Sequence, residues 1–235
     1  MMINRAKSSG GRQDGYRLCG CLALAALGPL LAGCAPRAVA RRHLFAGFDT
    51  SGSMRPRLAA AAATGARLAG RLDPDRDELT LYRVERDTQE LRDGPAPDSG
   101  TAMQQQVVAE LARPAARPGT FPVRFWAEVA RRIRAERRPA AVVLFSDGDN
   151  DDGQPEAAQA IRAAAADLSA NPAVRLVAVC GVSPENRAAL RAEFAPLGDR
   201  FELLDLSETD VERLAGQVDA TKSYAEPQTT RQSPR

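Results

Sequence analysis

The sequence has little of what nucleophilic or nucleotide chemistry uses. A single histidine, His43, occurs in 235 residues, and it lies at the entry to the first predicted strand, where we expect a surface or strand-edge position. No Gly-x-Ser-x-Gly elbow accompanies it, so a serine hydrolase is not supported. No phosphate-binding P-loop and no Gly-x-Gly-x-x-Gly pattern occur, so nucleotide chemistry has no support either.

The chain also lacks an excess of charge of one sign. Its formal net charge is +2, but residues 1–33 hold four basic residues and one acidic residue. The remaining residues include 28 basic and 29 acidic side chains. Such a balance gives no electrostatic reason to expect binding to nucleic acid.

The first 33 residues indicate export. After a basic opening, the apolar run at residues 18–34 is short for a membrane span and is interrupted by Gly28 and Pro29, as in a secretory signal peptide. Its end, LAGC, resembles the lipobox of bacterial lipoproteins, which implies cleavage before Cys34 and acylation of that residue. We therefore expect a lipid anchor to an envelope membrane on its extracytoplasmic face. The alternatives are an ordinary signal peptide or a plain membrane anchor.

This interpretation divides the chain into four parts, and the length after the signal peptide suits one globular domain. The parts are a signal peptide (1–33), a tether (34–42), a folded domain (43–218) and a polar, disordered tail (219–235).

Cysteine usage is consistent with this division. Cys19 and Cys21 would leave with the signal peptide, and Cys34 would be acylated. Only Cys180 remains, so no internal disulfide can form in the mature chain. Because Cys180 ends an apolar run, we predict a buried, inert thiol.

Five short apolar runs alternate with helical stretches through the domain. They lie at residues 44–48, 78–84, 140–145, 174–180 and 201–204. Apolar runs without polar alternation are typical of strands buried on both faces, and the helical stretches supply crossover connections. We therefore predict a doubly wound α/β fold with a mostly parallel sheet flanked by helices. The segment 87–91 is predicted to add a short antiparallel edge strand.

Two helices can be placed from their apolar faces. After Met54, one face carries mostly small residues that allow close packing on the sheet: Leu58, Ala62, Gly65, Ala69 and Leu72. A second helix is predicted to begin near Thr120, with Trp126 in its apolar stripe. Because such a stripe usually packs in the core, we interpret Trp126 as a core residue.

The segment FDTSGSM at residues 48–54 carries the first candidate site residues. Asp49 ends the first predicted strand, and Ser51 and Ser53 follow it. In an extended loop, side chains two residues apart can face the same point. On its own the pattern is weak, because it is also compatible with a helix N-cap and polar loop residues.

Two further segments place an oxygen at the same edge of the predicted sheet. Thr120 precedes a predicted helix, and Asp147 follows the strand at residues 140–145. In a doubly wound sheet, ligands bind outside the carboxyl ends of the strands, where the strand order reverses. We therefore expect Thr120 and Asp147 to lie near Asp49 and the two serines.

Together these residues resemble the metal-ion-dependent adhesion site of the von Willebrand factor type A domain. The resemblance covers about residues 43–218, and the motif positions are Asp49, Ser51, Ser53, Thr120 and Asp147. In that family the serines and the threonine supply oxygens to a divalent cation, and the aspartates act largely through bound water. The resemblance implies that an Asp or Glu of a protein partner completes the coordination, and that the domain has no catalytic residues.

The chemistry of these side chains indicates the same class of ligand. Hydroxyl and carboxylate oxygens, without thiol or imidazole, suit a hard cation such as Mg²⁺, with Mn²⁺ or Ca²⁺ as alternatives. If neutral hydroxyls make most of the direct contacts, the ion keeps much of its positive charge. It can then accept a partner's carboxylate as its last ligand.

The acidic segment DGDNDDG at residues 147–153 allows a second metal interpretation. As an EF-hand loop starting at Asp147 it fails, because the sixth position is Asp152 instead of Gly and the twelfth is Ala158 instead of Glu. We favour a solvated loop whose acidic residues suit the start of the next helix. A second cation site is the alternative.

Two other functions stay open from the sequence. A phosphohydrolase of haloacid-dehalogenase type also places an aspartate after its first strand and uses Mg²⁺. Enzymes of that type share a second aspartate two residues after the first, and this sequence has Ser51 at that position. The other alternative is a structural lipoprotein with a vestigial metal site. Ser51 argues against the enzyme, and the complete set of five motif residues argues against the vestigial site.

Overall fold

The computed structural model describes residues 41–111, 119–150 and 155–221. The predicted signal peptide, Cys34 and most of the predicted tether and tail lie outside them. The described strands are β1 (His43–Asp49), β2 (Glu78–Val84), β3 (Thr88–Pro95), β4 (Ala140–Phe145), β5 (Val174–Cys180) and β6 (Phe201–Leu204). They form a single sheet in the order β3-β2-β1-β4-β5-β6.

Neighbouring strands of this sheet pair in parallel except at one edge. Only β2 and β3 are antiparallel within it. The sheet confirms the predicted doubly wound, mostly parallel fold with one antiparallel edge strand, although β3 extends four residues beyond the predicted segment 87–91. Central strand β1 is buried along its whole length, as its unbroken apolar sequence indicates.

Six α-helices are described. They are α1 (Leu58–Ala69), α2 (Gly100–Leu111), α3 (Pro122–Ile133), α4 (Pro155–Ala170), α5 (Arg187–Glu193) and α6 (Glu208–Ala220). Short 3₁₀ turns occur at Arg55–Arg57, Pro184–Asn186 and Ala195–Arg200.

The helices cover both faces of the sheet, and each face has its own apolar core. Residues of α1, α2 and α6 pack with Leu44, Ala46 and Phe48 of β1 on one face. Residues of α3, α4 and α5 pack with Phe45 of β1 on the other. The division follows from strand geometry, since successive side chains point to opposite faces.

The predicted core role of Trp126 is confirmed. Its side chain is fully buried in α3, and its ring lies edge-to-face with Phe125 and Phe194 at centroid distances of 4.9 and 4.7 Å. Cys180 is buried as predicted, and burial raises the pKa of its thiol. A protonated, enclosed thiol reacts slowly.

The close approach of β1 and α3 requires glycine at position 47. A Cβ added at Gly47 would lie 2.6 Å from Cε2 of the Phe125 ring.

We expect Gly47→Ala to destabilise the fold by about 1–3 kcal/mol through overpacking, as measured by urea unfolding. Gly216→Ala is the control, since an added Cβ there meets nothing within 4 Å. That helical position should gain about 0.5–1 kcal/mol. An unchanged unfolding midpoint for Gly47→Ala would contradict this packing.

Arg42, which the sequence interpretation placed in the tether, is part of the fold. Its guanidinium is buried and forms an ion pair with Asp77, with Nη2 at 2.5 Å from Oδ2. It also donates to the carbonyl oxygens of Val218 at 2.9 Å and Arg71 at 2.7 Å. Arg42 precedes the first strand, which begins at His43 as predicted, but its side chain binds acceptors that lie far away in the sequence.

His43 was predicted to lie at the surface or a strand edge, and this prediction is wrong. The side chain is buried, with Nε2 at 2.8 Å from Thr80 Oγ1 and Nδ1 at 2.7 Å from Glu136 Oε2. Its ring stacks on Phe45 at a centroid distance of 3.8 Å. Because β1 is the central strand, even its first residue is covered by neighbouring elements.

Glu136 is expected to make the stability of the fold depend on pH in the acidic range. Burial raises the pKa of Glu136, but hydrogen bonds from His43 and Arg138 outweigh that effect and hold the pKa well below 4.5. A carboxyl group with a lowered folded-state pKa stabilises the fold above its unfolded-state pKa and loses that contribution as the pH falls. The free energy of unfolding should therefore decrease below pH 4.5.

The measurement is urea unfolding at a series of pH values. Between about pH 6 and pH 3, Glu136→Gln should lose less stability than the wild type, because the amide does not titrate. Parallel stability profiles for the two proteins would contradict this assignment.

The C-terminal boundary also differs from the prediction. Helix α6 continues to Ala220, two residues beyond the predicted domain end at residue 218. Ser207 caps its start by accepting from the Asp210 amide at 3.3 Å. Among the helices of the described ranges, none has the length and apolar character that a membrane crossing requires.

Candidate metal site

The candidate site lies where the strand order reverses, at the carboxyl ends of β1 and β4. The chain continues from β1 to β2 on one side, whereas β4 lies on the other side of β1. Phe48 is in register with Phe145, so Asp49 lies opposite the first residues after β4. Doubly wound sheets bind their ligands in this crevice.

Asp49 is the centre of the hydrogen bonds in this crevice. Its fully buried carboxylate accepts from three different segments. Oδ1 accepts from the backbone amide of Ser51 at 2.8 Å and from Thr120 Oγ1 at 3.0 Å. Oδ2 accepts from Ser146 Oγ at 2.8 Å. Asp49 thereby connects the loops that follow β1 and β4 with the loop that precedes α3.

The two serines lie together in the loop after β1. Ser51 Oγ and Ser53 Oγ are 3.0 Å apart, and Ser53 is exposed. The helix N-cap role that the pattern allowed is wrong for Ser53, because Met54 precedes the 3₁₀ turn and no side chain caps it. The two hydroxyls are therefore close together without serving as helix caps.

Asp147 is held in the loop after β4. The residue is buried, and its Oδ1 accepts from the backbone amide of Asp149 at 3.1 Å. Its carbonyl oxygen accepts from the backbone amide of Ser183 at 2.9 Å and from Asn186 Nδ2 at 3.2 Å. The segment after β5 therefore fixes the loop that carries Asp147.

Ser146 is a residue of the site that the sequence interpretation missed. Its hydroxyl donates to Asp49 and accepts from the backbone amide of Gly148 at 3.0 Å. Gly148 has φ +85°, a conformation that favours glycine, so the chain turns back sharply at this point. The sequence feature that could have indicated Ser146 is its position as the first residue after a buried strand, directly before Asp147.

Two buried carboxylates, those of Asp49 and Asp147, lie close together in this crevice. Burial raises the pKa of Asp49; hydrogen bonds from Ser51 and Ser146 oppose the rise, and the neighbouring Asp147 adds to it. Within the described parts of the chain, neither carboxylate forms an ion pair with a basic side chain. Neighbouring buried carboxylates are costly without a compensating cation. A divalent cation would supply that compensation.

The available oxygens fit a hard divalent cation. Hydroxyls and carboxylates without sulfur or imidazole suit Mg²⁺, Mn²⁺ or Ca²⁺. Across residues 41–111, 119–150 and 155–221, no group of three or more His, Cys, Asp or Glu side chains could hold a metal. A cation in the crevice would therefore depend on the hydroxyls of Ser51, Ser53 and Thr120 as well as on carboxylates.

A second set of residues that sequence reasoning missed supports the site from β2. Glu85 accepts from Thr50 Oγ1 at 2.8 Å and forms an ion pair with Arg83, and all three side chains are buried. The Glu85 carbonyl oxygen accepts from the backbone amide of Phe121 at 3.1 Å. Glu85 thereby connects the loop of the two serines with the loop of Thr120.

Only part of the acidic segment after β4 is described. Asp149 Oδ1 accepts from Asn186 Nδ2 at 2.7 Å, whereas residues 151–154 lie outside the described ranges. The preference for a solvated loop over a second cation site therefore stays a prediction.

No protein-family model matches the sequence, and no curated protein matches it. Solved structures do share its fold. A von Willebrand factor type A protein from Catenulispora acidiphila has a TM-score of 0.59 at 18% identity, over 78% of this chain and 43% of that one. The conserved hypothetical protein BatB from Bacteroides thetaiotaomicron has a TM-score of 0.56 at 18% identity, over 76% and 98% of the two chains.

A third similar structure is proximal thread matrix protein 1 from the mussel byssus, with a zinc-occupied MIDAS motif (metal-ion-dependent adhesion site). Its TM-score is 0.55 at 13% identity, over 77% of this chain and 45% of that one. This chain thus spans less than half the length of two of the three structures. The described domain has the von Willebrand factor type A fold.

Proposed function

We propose that the domain binds a divalent cation and, through it, a carboxylate of a protein partner. Mg²⁺ is the first choice, with Mn²⁺ or Ca²⁺ as alternatives. Ser51, Ser53 and Thr120 would hold the ion directly, and Asp49 and Asp147 largely through water. The observation that carries the proposal is the meeting of distant loops: Thr120 Oγ1 lies 3.0 Å from Asp49 Oδ1, although 71 residues separate them.

The bound cation would supply a positive charge that attracts and orients a carboxylate. The protein's own residues prepare the place for it. Asp49 orients the Ser51 backbone and the Thr120 hydroxyl through its hydrogen bonds. Neutral hydroxyls as direct ligands would leave much of the ion's charge for an Asp or Glu of the partner.

We also propose that the domain is attached to an envelope membrane by a lipid on Cys34, on the extracytoplasmic side. This part rests on the LAGC segment at the end of the apolar run and on the small residues that precede the cysteine. Mass spectrometry of the membrane fraction should find an acylated N-terminal Cys34. Unmodified wild-type protein, indistinguishable from Cys34→Ser, would contradict the anchor.

The proposed role is binding, without catalysis. The main competing function, a phosphohydrolase of haloacid-dehalogenase type, needs an acid-base carboxylate two residues after Asp49. That position is Ser51, whose hydroxyl is 3.0 Å from the hydroxyl of Ser53. Hydrolysis of an aryl phosphate by the wild type, lost in Asp49→Asn, would favour the enzyme instead.

A pull-down from envelope extract tests the binding function. The wild-type domain should retain one or more partners with Mg²⁺, lose them with EDTA and regain them when Mg²⁺ is restored. Asp49→Ala should retain none of these partners under any condition. A set of retained proteins that responds neither to EDTA nor to the substitution would show that the metal does not mediate recognition.

A further inference from the structure

Two exposed arginines border the candidate metal site. Arg55 lies two residues after Ser53, and its backbone amide donates to the Gly52 carbonyl oxygen at 3.4 Å, so it is adjacent to the loop of the two serines. Arg86 lies over the ring of Phe121, with its guanidinium carbon 5.8 Å from the ring centroid. Phe121 directly follows Thr120 in the chain, so Arg86 contacts the neighbour of one predicted metal ligand, and Arg55 follows another by two residues.

The charges of Arg55 and Arg86 are not neutralised by neighbouring side chains. Within the described ranges, neither forms an ion pair with a carboxylate. Nearby arginines differ: Arg124 pairs with Asp87, and Arg83 pairs with the buried Glu85. The segments after β1 and β2 therefore each carry one exposed arginine without a carboxylate partner.

The described part of the loop after β4 carries carboxylates instead. Asp147 and Asp149 lie in the loop after β4. Within the described residues, the Asp149 carboxylate accepts a hydrogen bond only from the neutral side-chain amide of Asn186. Exposed arginines thus lie in the segments after β1 and β2 and carboxylates in the loop after β4; a further arginine, Arg57, donates from Nη1 to the Gly181 carbonyl oxygen after β5 at 2.5 Å. An asymmetric charge distribution of this kind selects partners by charge and orients them as they bind.

We propose that the partner binds through an acidic segment: the Asp or Glu that completes the metal coordination is flanked by further acidic residues, which contact Arg55 and Arg86. This inference rests on the proposed metal-dependent function. An Arg guanidinium forms strong, bidentate hydrogen bonds with carboxylates. A segment with basic flanking residues would instead meet two like charges at the same border.

Selection from a peptide library tests the proposal. Phage-displayed heptapeptides with Asp or Glu fixed at the central position and random flanking residues are selected on the immobilised domain in Mn²⁺ and eluted with EDTA. The wild type should enrich Asp and Glu at the flanking positions. Arg55→Gln/Arg86→Gln should still yield EDTA-eluted peptides but without the acidic flanking residues.

A charge-matched control distinguishes the effect of Arg55 and Arg86 on peptide selection from an effect of the protein's overall charge. Arg41 and Arg137 are exposed residues that precede the amino ends of β1 and β4, at the opposite edge of the sheet. Arg41→Gln/Arg137→Gln removes the same two charges and should select the same acidic peptides as the wild type. By fluorescence polarisation, a selected acidic peptide should bind about two- to tenfold more weakly to Arg55→Gln/Arg86→Gln and unchanged to the control.

The outcomes distinguish this inference from the function on which it rests. EDTA-eluted peptides whose flanking residues show no acidic preference would overturn the acidic-partner proposal and leave metal-mediated binding intact. A loss of acidic preference in both double variants would also overturn it, because the effect would then come from overall charge. If EDTA elutes no enriched peptides from the wild type, the metal-dependent function itself fails.

Discussion

Replacing Asp49 by alanine is expected to lower the affinity for Mg²⁺ or Mn²⁺ by about 10- to 100-fold, the usual cost of losing a group that orients metal ligands. The carboxylate accepts hydrogen bonds from Ser51, Thr120 and Ser146. Without it, the Thr120 hydroxyl and the loop of the two serines lose the acceptor that holds them in place. Isothermal titration calorimetry of both proteins with Mn²⁺ measures the difference.

Asp149→Ala is the matched control for this prediction. Asp149 belongs to the same acidic loop as Asp147, but its carboxylate bonds to Asn186. Its removal should change the affinity by no more than about threefold, because an exposed charge contributes little. Equal Mn²⁺ affinities for wild type and Asp49→Ala would contradict the assigned site. A large loss in Asp149→Ala alone would place the ion in the acidic loop instead.

Arg42→Ala is expected to lower the free energy of unfolding by about 3–5 kcal/mol, because it leaves a buried carboxylate without its partner. Burial raises the pKa of Asp77, but hydrogen bonds from Arg42 and from backbone amides outweigh it, so the pKa lies below its ordinary value. Arg42 also donates to carbonyl oxygens of Val218 and Arg71. The substitution thus removes contacts between the start of β1, α6 and the segment after α1.

Thermal unfolding followed by circular dichroism measures this effect. The loss corresponds to a decrease in Tm of roughly 6–20 °C for a domain of this size. Arg41→Ala is the control, because Arg41 is next to Arg42 in the sequence but its own side chain is exposed. That change should alter stability by no more than about 0.5 kcal/mol. Equal Tm values for the two variants would show that the Arg42 ion pair contributes nothing.

The sheet could be predicted because its information is local. Each buried strand is an unbroken apolar run, and parallel strands joined by helices bring their carboxyl ends to one edge. This is why Asp49, Thr120 and Asp147 could be expected to lie close together before the structure was known. Their hydrogen bonds now show how: Asp49 accepts directly from Thr120, and Ser146 links it to the Asp147 loop.

The residues that could not be predicted are those whose role depends on distant partners. Arg42 is next to an exposed arginine in the sequence, and nothing local indicates that Asp77 lies beside it. His43 and Glu136 are 93 residues apart, yet their side chains are 2.7 Å apart. Glu85 likewise depends on Thr50, which lies in the loop after β1. A buried polar residue is recognised only when the fold supplies its partner, because a sequence pattern records apolar periodicity and not pairing.

The most direct test of the proposed metal site is a crystal structure of the domain grown with Mn²⁺, with an anomalous difference map. We predict one peak within direct coordination distance of the hydroxyl oxygens of Ser51, Ser53 and Thr120, and no peak there in crystals of Asp49→Ala. An empty crevice in the wild type, or a peak beside Asp149 alone, would contradict the proposal that these hydroxyls hold a divalent cation.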